Sequence, residues 1–408
     1  GQGCSGMSGL EVLAVVLMAA QVVFTIQVWS NIRYALQKYK RVRQYSPETA
    51  LIVPCRGLDD AFEENIRSFL MQDYEPYTVL FVVEDESDAA YGVLRRVIEE
   101  YRPQTRARKV CVLAAGKAAG CSQKLHNLVF ACRAVDESTD VLAFADSDAC
   151  IGPQWLRHLV YPLRESQTAK NGAATGYRWF VPKTNNWATL ALSGMNAKIA
   201  QLLGNTRFNL AWGGSMAIRR DLFYQLQLEQ IWSSALSDDL SLSAAVSKAG
   251  LKIVFVPACM SASYESVSWK ELWEFGRRQF LITRVYRPKM WFFGLFSSLF
   301  SVLGLWGGVA AAVWTLCGPQ PSWILIAWPL VFAFCQWLRA FLRQRMIGRL
   351  LEKDRALLRA AGRADLMLFW FFSILLLGVV ASSAVGTTLC WRGIRYRLRG
   401  PTQVEVLP

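Results

Sequence analysis

Three acidic places in this 408-residue chain have the residue types and spacing to do chemistry: Glu84-Asp85, Asp146-Ser147-Asp148 and Asp238-Asp239. The first two directly follow apolar runs, 78–83 and 141–145, and the third follows a more variable segment. Two carboxylates one residue apart, on a turn after a strand, can share a hard divalent cation such as Mg²⁺ or Mn²⁺, because these ions take oxygen ligands. A further carboxylate can take the proton of an attacking hydroxyl. Such a set suits displacement of a nucleoside diphosphate from a sugar: the cation and positive side chains offset charge on the leaving group while a base activates the acceptor. Lys124, in Gln123-Lys124-Leu125-His126-Asn127, lies upstream and can reach a phosphate. Any one acidic site alone also reads as an ordinary polar strand end; three in one domain weaken that reading.

The elements that must position these groups show in the hydrophobic pattern. Runs 50–54, 78–83, 110–113 and 141–145 read as buried strands, each near a helix-like segment such as 64–71 or 91–101. Buried strands alternating with helices predict an α/β domain with a mostly parallel sheet. In such sheets ligands bind beyond the carboxyl ends of the strands, so all three acidic sites are expected at sheet ends.

Flanking this domain, the chain becomes apolar. Hydrophobic residues make up 53% of it and charged residues only 19%. Residues 9–29 are long enough for one transmembrane anchor. A cleaved signal peptide fits less well, since basic residues follow the run rather than precede it. Residues 290–317 and 323–337 predict a hairpin of two spans separated by Gly318-Pro319-Gln320-Pro321, and 366–390 is a third stretch of spanning length. A full crossing at 366–390 would put the arginines beyond it outside the cell, against the positive-inside rule, so a re-entrant or interfacial course is the alternative.

The net charge of +14 gathers beside these runs: Arg33, Lys38, Lys40, Arg41 and Arg43; Arg339, Arg343, Arg345 and Arg349; Arg392, Arg395, Arg397 and Arg399. That placement argues for cytoplasmic membrane flanks rather than nucleic acid, for which no motif occurs. Ten Cys without a CxxC pair, and only His126 and His158, exclude a structural zinc site. The Cys of the central domain read as buried small residues in a reducing compartment. Gly1-Gln2-Gly3 are set aside from the fold reading. The expected layout is an anchor at 9–29, the α/β domain at 46–288, a membrane region at 290–390 and a basic cytosolic tail at 391–408.

With these residues in view, the chain resembles family 2 glycosyltransferases of the nucleotide-diphospho-sugar (GT-A) fold. More narrowly, it resembles ceramide glucosyltransferases and their bacterial, hopanoid-pathway-like relatives. The resemblance rests on the order of the three acidic sites and on five further stretches. These are 53–59 with Pro54 and Arg56, 72–85, Lys124-Leu125-His126-Asn127-Leu128, Trp212-Gly213-Gly214-Ser215-Met216 with Arg219 and Arg220, and the 391–399 tail.

It implies that Asp85 contacts uracil, with Pro54, Arg56, Lys124 and Arg278 beside the donor. Asp146 and Asp148 would engage ribose, diphosphate and metal, and Asp239 would be the base of an inverting transfer. Trp212, Gly213, Gly214, Asp238, Trp273 and Arg284 are the expected acceptor side. One departure stands out: where the family carries Gln/Arg-x-x-Arg-Trp, this chain has Arg278 and then Leu281-Ile282. Arg277, Arg278 or Arg284 would then have to supply the diphosphate charge. Trp269 and Trp273, at i and i+4, suit either a path for lipid or interfacial anchoring. His126 reads as packed or hydrogen-bonded rather than as a ligand.

The implied activity is transfer of a sugar, with glucose favoured, from a UDP-sugar to a membrane-lipid hydroxyl, with ceramide favoured. The enzyme would be an integral, multi-pass protein of a bacterial inner membrane or eukaryotic endomembrane, its catalytic domain in the cytosol. Two other classes compete: a processive polysaccharide synthase, and a catalytically silent lipid-binding scaffold of the same fold. The sequence fixes neither the exact substrates nor the oligomeric state.

Overall fold

The computed structural model describes residues 7–40, 44–164 and 170–407; Gly1–Gly3, Arg41, Arg43 and Pro408 lie outside the described residues. In chain order the elements begin with α1 (Gly9–Lys38), β1 (Thr49–Pro54), α2 (Phe62–Leu70), β2 (Tyr77–Val83), α3 (Ala89–Tyr101), β3 (Lys109–Ala114), α4 (Gln123–Ala134) and β4 (Val141–Phe144). Then come α5 (Trp155–Val160), β5 (Asn171–Pro182), α6 (Trp187–Ala200), β6 (Met216–Arg219), α7 (Arg220–Gln225), α8 (Leu228–Trp232), α9 (Asp238–Lys248) and β7 (Lys252–Glu265). The chain ends with α10 (Trp269–Tyr286), α11 (Pro288–Leu316), α12 (Trp323–Leu350), α13 (Leu358–Met367), α14 (Phe369–Ser382), β8 (Thr388–Trp391), β9 (Ile394–Gly400) and β10 (Gln403–Leu407).

Seven strands form one sheet in the order β3-β2-β1-β4-β6-β5-β7, the mostly parallel α/β architecture expected. Within it β6 runs antiparallel to both β4 and β5. Strand residues alternate between two faces. Ile52, Leu80, Val82, Leu142 and Phe144 pack with α4, α8 and α9 on one side. Leu51, Val53, Val79, Phe81 and Ala143 pack with α2, α3 and α5 on the other. Both faces are covered, which is why these strands read as unbroken apolar runs. Cys55, Cys121, Cys132 and Cys259 are free and buried in these layers.

Three helices, α1, α11 and α12, are long and apolar enough to cross a membrane. At Gly304 of α11 a Cβ would lie 2.0 Å from the Phe332 ring of α12, so the glycine sets how closely this hairpin packs. The lower half of α1 is tied to the sheet domain: Tyr34 donates to the Phe255 carbonyl at 3.0 Å, and Asn31 to the Gln201 carbonyl at 3.2 Å.

The structure differs from the sequence-based expectation in four places. Helix α12 does not stop at 337 but continues to Leu350, carrying the arginine cluster inside it; Arg339 and Arg343 are buried while Arg345 and Arg349 are exposed. Of the two courses expected for 366–390, the straight span is the one the structure departs from: α13 and α14 meet at 89° near its start, a broken span or re-entrant loop, and the chain then enters β8. Residues 388–407 form an antiparallel sheet rather than a tail, with Leu389, Tyr396 and Leu398 packed on the domain core beside Leu281 and Tyr286. Asp238-Asp239 sit at the start of α9, not at a sheet end.

Candidate functional site

A cavity of about 1310 Å³ runs from the sheet domain into the helical region. Its inner end lies where β1 and β4 terminate, bounded by Pro54, Arg56, Lys124, Asp146, Asp148, Asp238 and Asp239. It continues past Tyr177, Arg178 and Trp212 into the space among α1, α6, α11, α12 and α14, where Phe24, Phe293, Leu376 and Val380 line it.

The chemical end is built by turns and helix starts. Ser122 caps α4, its hydroxyl accepting from the Leu125 N–H, and so places Lys124 in the first helical turn. The Lys124 ammonium lies 2.7 Å from Asp146 Oδ1 and 2.9 Å from Asp238 Oδ2. Burial pulls its pKa down, but Asp146, Asp238 and Asp239 overcome this and hold it well above the ordinary lysine value. Asp238, only 3% exposed, has its pKa pushed up to about 6 by burial, opposed by Lys124 and reinforced by Asp239 and Asp146.

Asp239 lies one residue on and is held differently. Its carboxylate accepts from the Gly213 N–H at 3.1 Å, the Leu240 N–H at 2.7 Å and the Ser237 hydroxyl at 2.5 Å. These donors, at a helix N-terminus, favour a fixed carboxylate there. A Cβ on Gly213 would lie 2.4 Å from Asp238 and 2.8 Å from the Lys124 ammonium, so a glycine is required between them.

Asp148 lines the cavity, exposed at its surface; the surrounding protein raises its pKa, Asp146 adds to this, and Arg178 and Arg392 oppose it. Among the described residues no three His, Cys, Asp or Glu side chains converge as a closed metal cage. A divalent cation would instead be shared: Asp146, whose Oδ1 pairs with Lys124, and Asp148 would each offer a carboxylate oxygen, with a bound diphosphate and water completing the set. Asp148 is solvent-exposed on the cavity wall, which leaves its carboxylate accessible to such an ion.

Of the residues expected at the site, the structure brings Pro54, Arg56, Lys124, Asp146, Asp148, Trp212, Gly213, Asp238, Asp239 and Arg278 to the cavity wall. Asp85 does follow β2, yet its carboxylate is turned to the Ser87 hydroxyl and N–H, which lower its pKa, and it is not part of the wall. Gly214 stands behind the Trp212 ring. Asp238, expected on the acceptor side, is committed to Lys124. Trp273 is partly exposed and lies against Gly378 rather than the cavity, and Trp269 packs edge-on against Phe371. Arg284 and Arg277 donate to the carbonyls of Gly386 and Val385, bracing the turn before β8. Of those three arginines Arg278 alone reaches the wall, where its guanidinium sits 5.4 Å from the Phe275 ring centre. Leu281 and Ile282 pack into the core, Ile282 also touching the cavity. His126 is hydrogen-bonded to the Ala115 carbonyl at 2.9 Å, as expected.

Sequence reasoning missed Arg178, on β5, whose guanidinium lies among Phe180, Phe275 and Trp212. A lone charge within a buried apolar strand was the available signal. Arg392 was grouped with a solvated tail, but it bonds the Arg56 carbonyl at 3.0 Å and lines the cavity.

Among solved structures, the mannosyltransferase PcManGT from Pyrobaculum calidifontis, in complex with GDP-Man and Mn2+, is 17% identical. The match covers 92% of this chain and 97% of that one, with a TM-score of 0.49. GalNAc-T7 with UDP, GalNAc and Mn2+ is 12% identical over 62% of this chain and 52% of its own, with a TM-score of 0.37. The model of glycosyl transferase family 21 matches residues 12–404, from α1 to β10. The narrower resemblance, to the ceramide glucosyltransferases, is thus the one that holds. The chain belongs to glycosyl transferase family 21 and is a glycosyltransferase that takes its sugar from a nucleotide-sugar.

Proposed function

We propose that this enzyme transfers glucose from UDP-glucose to the hydroxyl of a membrane lipid, with ceramide as acceptor and inversion at the sugar carbon. The observation that carries this is the cavity itself, which joins carboxylates at the ends of β-strands to an apolar space among helices of spanning length. A lipid can present its polar end to Asp239 while its chains stay among α1, α11 and α14.

Asp239 accepts the hydroxyl proton as the acceptor oxygen bonds to the anomeric carbon, and the bond from that carbon to the diphosphate oxygen breaks. The Gly213 and Leu240 N–H groups keep the carboxylate aimed during this step. Lys124, Arg178, Arg278 and Arg392 surround the departing diphosphate with positive charge. A Mg²⁺ or Mn²⁺ ion held by Asp146 and Asp148 would add charge neutralisation there. The basic residues Arg33, Lys38 and Lys40 at the domain end of α1 support a cytosolic catalytic domain.

The test uses full-length protein in detergent with labelled UDP-glucose, Mg²⁺ or Mn²⁺, and ceramide, diacylglycerol and a hopanoid as acceptors. Labelled glucosylceramide is the expected product. A labelled polymer would replace this reading with a processive synthase. UDP-glucose binding without turnover on any acceptor would replace it with a binding protein.

A further inference from the structure

The membrane end of the cavity holds a second charged cluster that sugar transfer does not use. Lys198 of α6, Arg339 and Arg343 of α12, Gln201, Gln336 and Ser373 all line it. Arg343, 1% exposed, pairs through two guanidinium nitrogens with Asp365 and donates to Gln201 at 2.9 Å. Arg339, 4% exposed, donates to the Thr25 hydroxyl at 2.8 Å and lies 4.7 Å from the Phe24 ring. The Lys198 ammonium donates to Ser373 at 3.0 Å, and Ser373 to Gln336 at 3.2 Å.

The charge count does not balance. Three basic side chains face one carboxylate, Asp365, already matched to Arg343; among the described residues no acidic side chain forms an ion pair with Arg339 or Lys198, and burial beside Arg343 lowers the Lys198 pKa well below its ordinary value, as for a lysine that lacks its counter-anion. Burying unpaired charge is strongly unfavourable, and ionisable groups among membrane helices pair or serve a ligand. Neutral partners such as Thr25 and Ser373 satisfy single N–H groups but leave the charge. The cations also border open space continuous with the apolar lobe, so an anion attached to hydrocarbon chains meets both surroundings at once.

We propose that the Lys198–Arg339–Arg343 cluster binds the anionic phosphate headgroup of a membrane lipid, at a site separate from the donor carboxylates. Its phosphate supplies the charge that Asp365 leaves uncompensated, and its chains compete with those of the acceptor for the one apolar lobe. The assignment is independent of which sugar and acceptor the enzyme uses, because binding is read without turnover.

The probe is dioleoylphosphatidic acid in nanodiscs or mixed micelles of dioleoylphosphatidylcholine, compared with phosphatidylcholine alone and with inorganic phosphate. Phosphatidic acid is expected to raise the melting temperature of the full-length protein by roughly 2–4 °C or more. It is also expected to remain bound in native mass spectra. Lys198→Gln and Arg339→Gln should each weaken that binding about tenfold, while Lys198→Arg and the exposed Arg345→Gln retain it. UDP binding, followed in the same samples, should be unchanged. An equal shift with phosphatidylcholine, or full retention in both Gln variants, overturns the site. An equal shift with inorganic phosphate assigns it to a free anion and overturns the lipid. Should the Gln variants fail to fold, the decision rests on the parent protein: preferential retention of phosphatidic acid over phosphatidylcholine, preserved in Lys198→Arg, supports the site, and its absence refutes it.

Discussion

At one end of the cavity a single ammonium, Lys124, sits among Asp146, Asp238 and Asp239; at the other, Lys198, Arg339 and Arg343 share one carboxylate, Asp365. Both clusters are buried, and both are held by hydrogen bonds from several elements. They differ in what gathers at the centre: carboxylates around one ammonium at the first, basic side chains around one carboxylate at the second. The acid-rich end suits a base and a metal–diphosphate pair. The base-rich end suits an anion. A buried polar cluster is therefore informative chiefly through the charge it fails to balance, since that remainder is what a ligand must supply.

The largest effect is expected from Asp239→Asn at the acidic end. An amide cannot take the acceptor proton, so transfer should fall by about 10²–10⁴-fold. UDP binding should persist, because Lys124, Asp146 and Asp148 are untouched. Transfer rates with matched UDP titrations check this, and a variant with full activity would move the base to Asp238.

Asp365→Ala at the basic end should act on stability instead. Arg343 would keep its charge in a fully buried position with only Gln201 as partner, a loss of about 3–5 kcal/mol. Thermal unfolding in detergent reads it. A shift no larger than that of a surface substitution would mean that the pair is dispensable and the charge count at this end is wrong. Donor affinity in any folded fraction should match the parent, since the two ends meet through the cavity and not through a shared side chain.

The two ends were unequally legible in sequence. At the acidic end, each key carboxylate follows a strand or opens a helix, where local pattern places it; Asp146 and Asp148 after the 141–145 run are the clearest instance. The same logic misplaced Asp238-Asp239, because a Ser-capped helix start and a strand end both put acidic residues after a break in apolar pattern. At the basic end local pattern misled. Arg339 and Arg343 sit beside an apolar run, as membrane-flanking charges do, and nothing nearby marks them as buried. Their partners Thr25, Gln201 and Asp365 come from α1, the end of α6 and α13, so only tertiary packing reveals them. The β8–β10 sheet was hidden for a similar reason: its arginines alternate with Tyr396 and Leu398, yet as a cluster beside an apolar run they read as a membrane flank and basic tail.

Gly213→Ala probes how tightly the acidic end is set. The added methyl must displace Asp238 or the Lys124 ammonium, and Gly213 N–H also holds Asp239. A shift of the catalytic group by about 1 Å can lower turnover by about 10²-fold. The expected result is a kcat loss of ~10–100-fold with little change in melting temperature. Unchanged kcat would show that the loop at 212–215 has slack and that the three hydrogen bonds to Asp239 are not what aims it.

The smallest effect is expected from Arg345→Gln, and its smallness is the point. Arg345 stands two residues from Arg343 on the same helix and belongs to the same run of basic residues, yet it is exposed. Removing a solvated charge should move stability by no more than about 0.5 kcal/mol, against several for disrupting the Arg343 pair. If both substitutions cost the same, burial is not what distinguishes them, and the basic end of the cavity is no different from a membrane-flanking surface. If they separate as expected, one helix carries two kinds of arginine: those of its outer face answer to solvent and lipid headgroups, and those of its inner face answer to the occupant of the cavity.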